Sequence, residues 1–245
     1  MSIRIYHTSD LHDNRGIVAR LRALRTAQPG LLFDCGDSLR GSQSMYYRRE
    51  PIIAEINAAD YDVQAMGNRE FHYIFGAVRA RVAQMKYPLI CSNLLDVRGR
   101  TLPYRDHWMR EIDDGGNARC VHAIGLLVPQ YPVGSAWERL FGWRFLAPYD
   151  IAAAYAARLA DDAIFIVLSH LGLRADRELA AHVPRIDLIL GGHSHDTLFE
   201  PEYVGNVPIV HAGPYGNFLS RTELDTGGAR ARITRFDLLP LRETA

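Results

Sequence analysis

Residues 163–195 read AIFIVLSHLGLRADRELAAHVPRIDLILGGHSH. The run 163–170 is almost wholly apolar and ends on His170, and the run 185–193 ends on Gly-Gly-His. Between them, 175–182 carries apolar residues at helical spacing. An apolar run, a short helix and a second apolar run describe two parallel strands, buried on both faces and joined by a right-handed crossover. Each strand delivers imidazole at its carboxyl end: His170 from the first, His193 and His195 from the second. Side chains just beyond the carboxyl ends of parallel strands are where open α/β sheets build their sites.

The same alternation extends toward the N-terminus. Strands are expected over 3–10, 31–37, 62–68 and 88–94, with helices over 16–27, 45–58 and 71–84 between them. The first helix places Val18, Leu21 and Leu24 together, and the second groups Ile52, Ile53 and Ile56. The middle differs. Residues 104–112 and 119–128 flank DDGGN (113–117), a hairpin signal, and 129–148, rich in Pro, Gly and aromatics, fits neither period. A helix over 150–161 restores the alternation, and the tail (VPIVHAG, FLSRTELDT, ARITRFDLL) reads as antiparallel β. Repeated strand–helix units with antiparallel additions predict two mixed sheets facing each other with helices outside, in one domain over 1–245.

Composition narrows the function class. The chain has 245 residues, 48% hydrophobic and 23% charged, with a formal net charge of zero. Nothing in that balance points to a nucleic-acid polymer or a membrane as partner, and no apolar run approaches the roughly 18 residues of a spanning helix. The opening MSIRIYHTSD lacks the features of a secretory leader, so a cytoplasmic location is expected. Cys35, Cys91 and Cys120 are odd in number and scattered through apolar runs, which reads as buried, reduced thiols.

Five strand ends carry the chemistry. Asp10 and His12 end the first strand, Asp37 the second, Asn68 the third, His170 the run 163–170, and His193 with His195 the run 185–193. This nitrogen–oxygen set suits Zn, Mn or Fe, and it is too large for one ion with an open position. Two ions sharing a carboxylate, with Asp37 as the natural bridge, could lower the pKa of a bridging water and clamp an in-line displacement at phosphorus. Glycines at 36, 67, 191 and 192 let the backbone turn tightly at these ends. His7, His107, His122 and His182 lack the pattern and are read as structural, whereas His211 follows a strand and could line the same rim. Phosphate-loop, dinucleotide-loop and nucleophile-elbow motifs are absent from the sequence.

TSDLHDN, FDCGDS, MGNREF, LSHLG and GGHSH, in this order, resemble the motifs of the calcineurin-like metallophosphoesterases, most closely the catalytic domain of the 5′-nucleotidase family. CSNL (91–94) and HAGPYGNFLSRTELD (211–225) look like that subfamily too. The resemblance covers essentially the whole chain. It implies a four-layer αββα sandwich with two metals, Asp10, His12, Asp37 and His195 holding one and Asp37, Asn68, His170 and His193 the other. It also adds Asn93 and His211 as candidate substrate contacts.

Two departures from the family pattern stand out. The second domain that gives nucleotidases their base clamp would have no room before Ala245. The family's Gly-Asn-His-Glu/Asp reads Gly67-Asn68-Arg69-Glu70-Phe71-His72 here, so the imidazole that usually serves the leaving group is an arginine. Either Arg69 neutralises the phosphoryl oxygens while His72 protonates the leaving group, or the acid is lost and only good leaving groups depart. The expected activity is hydrolysis of a small phosphomonoester such as a nucleotide, with attack by a metal-bridging hydroxide. A phosphodiesterase and a non-catalytic scaffold are the alternatives. Trp137 and Trp143 in the 129–148 segment would either stack on a base or pack the core.

Overall fold

The βαβ unit of 163–195 forms as read and sets the architecture. In the computed structural model, which describes residues 2–113 and 118–242, strand β9 (Ile164–His170) runs through helix α6 (Leu173–His182) into β10 (Leu188–Gly191), and the two strands pair in parallel. Every residue of β9 and β10 is buried, as a parallel strand covered on both faces requires.

Around this pair grows a six-stranded sheet. Its order is β11 (Glu202–Val204), β12 (Val207–His211), β10, β9, β7 (Ala118–Leu127) and β6 (His107–Asp113). The second sheet runs β14 (Arg232–Pro240), β13 (Phe218–Asp225), β1 (Ser2–Thr8), β2 (Leu31–Asp34), β3 (Val63–Ala65) and β4 (Leu89–Ile90). Strands β1 to β4 are mutually parallel, and β13 closes onto β1 antiparallel.

The sheets face each other across Ile5, Phe33, Val63, Ile90, Val121, Ile166, Leu188 and Val210, all fully excluded from solvent. Helices α1 (Val18–Ala27) and α2 (Pro51–Ala59) cover the outer face of the second sheet, and α5 (Pro148–Ala156) with α6 covers the first. This is the expected four-layer αββα sandwich.

The differences from the sequence reading are local. Helix α2 begins at Pro51 rather than 45, because proline suits the first helical turn and Glu50 is spent accepting from the Arg40 and Gly41 amides. Helix α3 (Phe75–Val82) starts four residues late. VPIVHAG is not an antiparallel tail strand in the main: β12 joins β10 in parallel, and β11, unread in the sequence, pairs with it antiparallel. The 129–148 segment holds α4 (Ala136–Phe141) and β8 (Trp143–Phe145), and β8 pairs with β5 (Leu94–Asp96). Trp143 is fully buried, donating to the His72 and Tyr73 carbonyls, so it packs rather than stacks on a ligand. The turn expected at 113–117 lies, from 114 on, outside the described residues.

Candidate metal centre

The carboxyl ends of β1, β2, β3, β9 and β10 meet on one rim, and loops rather than strand termini present most of the expected ligands. Backbone hydrogen bonds lock these loops together. Asp10 N donates to Gly36 O at 2.9 Å, His12 N to Asp37 O at 3.0 Å, and His193 N to both oxygens of Asp10 at 3.0 and 3.1 Å. The backbone is strained where the ligands sit. Among the described residues eight non-glycines have left-handed φ, and Asp10, His12, Asp13, Asp37, His193, His195 and Tyr215 are seven of them. Such conformations cost of order 1 kcal/mol each and persist where surrounding structure enforces them, typically at functional sites. Gly36 and Gly67 let the two ligand loops approach: a Cβ on Gly67 would lie 2.3 Å from the Asp37 amide nitrogen.

Two clusters of donor atoms result. Asp10, His12 and His195 form one, with the two Nε2 atoms 3.0 Å apart and Asp10 Oδ1 at 3.8 and 3.6 Å from them. Asp10, Asp37 and His170 form the other, with His170 Nε2 3.2 Å from Asp37 Oδ1. Asp10 belongs to both triads, and Asp37, the carboxylate expected between two metals, belongs to the second. Asn68 and His193 stand beside the second cluster, Asn68 Nδ2 3.5 Å from His193 Nδ1, and the His170 and His193 rings are 5.0 Å apart.

The donors fit a metal. His170 gives its Nδ1 proton to the Cys35 carbonyl at 2.7 Å, which fixes the ring and turns Nε2 inward. That Nε2 is buried and faces the Asp37 carboxylate. Two imidazole nitrogens turned toward one another beside a carboxylate form an unfinished set that a cation would complete.

The electrostatics agree. Against the burial that would push it down, the Asp37 carboxylate raises His170 to about 10. Burial works to raise Asp37, yet the His170 charge and hydrogen bond hold its carboxyl far below the usual range. Beneath them lies Glu70, fully buried. Its two oxygens accept from the amides of Asp37, Ser38, Leu39 and Gly67 at 2.7–3.3 Å, which ties the Asp37 and Asn68 loops together. Burial and the Asp37 charge push Glu70 up to about 7.

Arg69 stands at the rim. Its amide donates to Asp37 Oδ1 at 2.8 Å, its Nε lies 3.9 Å from Asp37 Oδ2, and Nη1 is tethered to the Leu39, Arg40 and Gly41 carbonyls.

Three other candidates are buried. His72 is 4% exposed; its Nδ1 accepts from the Ile74 amide at 3.0 Å and the ring also bonds the Ser44 backbone, while burial and Arg81 lower its pKa. Its ring is held in the loop structure by these backbone bonds. Asn93 is fully buried, and its amide bridges Leu127 N, Leu127 O and Leu146 O. His211 lies under Gly191 and pairs with buried Asp176 at 2.8 Å. In each of the three the ring or amide is engaged by bonds within the protein, an orientation that residue spacing does not encode.

The sequence reading missed two residues on the rim. Gln130 donates to Asn68 Oδ1 at 3.0 Å and to the Val128 carbonyl, and nothing in its local sequence marks it. Tyr215, left-handed and 42% exposed, packs its ring 5.5 Å from His12 and 5.4 Å from His195. The Pro-Tyr-Gly turn after a strand was the available signal.

Comparison with known proteins matches residues 3–197 to the calcineurin-like phosphoesterase family. The chain is similar to the uncharacterized metallophosphoesterase YunD of Bacillus subtilis, 27% identical over 94% of this chain and 52% of that protein. It is also similar to the 2′,3′-cyclic-nucleotide 2′-phosphodiesterase/3′-nucleotidase of Salmonella typhimurium, 24% identical over 100% and 47% respectively. The solved 5′-nucleotidase precursor of Thermus thermophilus superposes with a TM-score of 0.81 at 22% identity, covering 98% of this chain and 54% of that one. The chain spans about half the length of the curated relatives it matches.

Proposed function

We propose that this chain, which belongs to the calcineurin-like phosphoesterase family, hydrolyses a phosphate ester of a small molecule, a nucleotide being the leading class. The supporting observation is the convergence of two donor triads through Asp10, on loops whose left-handed backbone is concentrated at this rim. Asp10, His12 and His195 would hold one ion, and Asp37, Asn68, His170 and His193 the second, with Asp37 as the expected shared carboxylate and Asp10 within reach of both positions; the donor set suits Zn, Mn or Fe. When bound, such ions supply positive charge to phosphoryl oxygens and lower the pKa of a water molecule.

The chain's own residues do the rest. Arg69, tethered through Nη1, presents its remaining N–H groups beside Asp37, where a phosphoryl oxygen can be held by charge-assisted hydrogen bonds. Glu70 keeps the Asp37 and Asn68 loops in register, and Gln130 holds the Asn68 amide. Tyr215 walls the His12–His195 side with an aromatic face.

The diester reading draws on the Salmonella relative's name. A scaffold reading is disfavoured because none of the seven residues expected to hold metal is replaced in this sequence. A cytoplasmic place of work belongs to the proposal, supported by three free cysteines, two buried and one half-buried. Protein reconstituted with Mn, Zn or Fe is expected to hydrolyse p-nitrophenyl phosphate or its bis-ester, and Asp10→Ala to abolish that activity. Metal-loaded protein inactive on both would overturn the reading.

A further inference from the structure

Ser169, Gly191 and His211 stand side by side on β9, β10 and β12, in the last row where these three parallel strands pair. His170 follows that row by one residue and His193 by two. Neighbouring residues on a strand face opposite ways. Ser169 therefore turns toward α6, while His170 turns toward the other sheet and gives its Nδ1 proton to the Cys35 carbonyl.

Asp176 of α6 lies across this row. Its Oδ1 accepts from the Ser169 hydroxyl, and its Oδ2 pairs with His211 Nε2 at 2.8 Å. The Gly191 backbone passes directly beneath the pair, where a Cβ would collide with both His211 Nε2 and Asp176 Oδ2. Ser169, Asp176 and His211 are all buried. One acid thus spans three strand ends.

A buried acid is a costly way to fill a helix face. Leu173, Leu179 and Ala180 of α6 already pack into the apolar layer over β9 and β10, and a further apolar side chain would join them without the loss of hydration. Asp62 and Asp187 are each met by two arginines, but among the described residues Asp176 has no guanidinium partner. What it adds is direction. Apolar packing tolerates small slides between strands, whereas hydrogen bonds to two fixed groups weaken steeply with misalignment.

We propose that Asp176 is a positioning residue of the metal centre. Through Ser169 and His211 it holds the ends of β9, β10 and β12 in register, and so fixes His170 against His193, whose rings are 5.0 Å apart. This rests on the reading of the rim as a two-metal centre and deepens it.

The test compares Asp176→Ala, Ser169→Ala and Asp176→Asn with Leu179→Ala, a cavity in the same helix that leaves the hydrogen bonds intact. Competition with a chelator should show one of the two ions held about 10–100-fold more weakly in Asp176→Ala. Ser169→Ala, which removes a single oxygen, should show a smaller loss at the same position. Asp176→Asn can still accept from Ser169 and meet His211 in its other tautomer, so it should recover most of the affinity. Leu179→Ala should lower the melting temperature at least as much as Asp176→Ala while leaving both ions in place.

The metal-free proteins supply a second readout. Imidazole NMR resonances of His170 and His193 should shift in Asp176→Ala and Ser169→Ala, with those of His107 and His122 unmoved. Wild-type affinity for both ions in folded Asp176→Ala or Ser169→Ala, or an equal loss in Leu179→Ala, would overturn the proposal and leave the metal reading intact. A wild type that binds no ion would remove the metal reading first. The ring resonances would then decide alone, and unshifted His170 and His193 signals would overturn the positioning role.

Discussion

Buried aspartates sit at both ends of the parallel strands, and the two ends neutralise them differently. Asp62 and Asp187 precede β3 and β10. Asp62 accepts from the Leu32 amide at 2.8 Å and pairs with Arg25 and Arg110 at 2.6 Å. Asp187 accepts from the Phe165 and Ala231 amides and pairs with Arg185 and Arg230 at 3.0 and 2.9 Å. Neither has a left-handed backbone.

Asp10 and Asp37 follow β1 and β2, are as deeply buried, and meet imidazoles instead, on strained loops. An acid closed off by guanidinium and amides is part of the fold. One faced by imidazole nitrogens that meet one another or the acid itself forms a donor set that a cation would complete. The same residue type serves stability at one end of the sandwich and chemistry at the other.

Exchanging the insults tests that division most severely. Asp37→Ala should lower kcat/KM by on the order of 10³-fold or more, because a metal ligand is gone. Asp187→Ala should instead cost up to about 3 kcal/mol of stability by stranding Arg185 and Arg230, with kcat per folded molecule little changed. Thermal melts and steady-state kinetics on both variants would break the comparison if Asp187→Ala were the less active of the two while still folded.

Gly67→Ala is the next largest. The added Cβ would meet Asp37 N at 2.3 Å and its Oδ1 at 2.5 Å, so the two ligand loops must part. A displacement of this kind is expected to cost about 10²-fold in kcat/KM. Wild-type activity in Gly67→Ala would show that the loop contact is not needed.

The ion pair at the chemical end also has a pH signature. Folded, metal-free protein keeps the His170 proton to about 10, against 6.5 for the free group. The pair therefore stabilises the metal-free fold fully below pH 6.5, and that contribution fades as pH rises through about 10. A metal must displace the same proton, so this group should raise apparent metal affinity by up to about tenfold per pH unit across that window. Metal titrations at several pH values that give a flat profile would contradict it.

Gln130→Ala should have the smallest effect, a loss of metal affinity of roughly tenfold through a loosened Asn68 amide, measured by competition with a chelator.

Much of this was legible in the chain. Strand ends could be found because β9, β10 and β2 are apolar-rich runs, and the expected ligands because His170 closes the first while His193 and Asp37 follow the other two directly in the loops. Orientation was not legible. His72, Asn93 and His211 sit in suggestive motifs, yet their polar atoms turn into the protein to satisfy buried backbone or Asp176, and spacing alone cannot show that. Contacts between distant segments were equally invisible. Gln130 meets Asn68 across 62 residues, and β12 chose β10 as a parallel neighbour over the tail strands. The swap of imidazole for Arg69 was plain in the sequence, but its meaning depended on finding His72 sealed.

The most direct test of the central claim is metal content. Wild-type protein and the Asp10→Ala variant would be reconstituted, freed of loose metal and analysed by mass spectrometry. The shared position of Asp10 predicts about two ions per chain in the wild type and loss from both positions in the variant. A wild type that retains no tightly held ion, or an Asp10→Ala protein that keeps both, would contradict it.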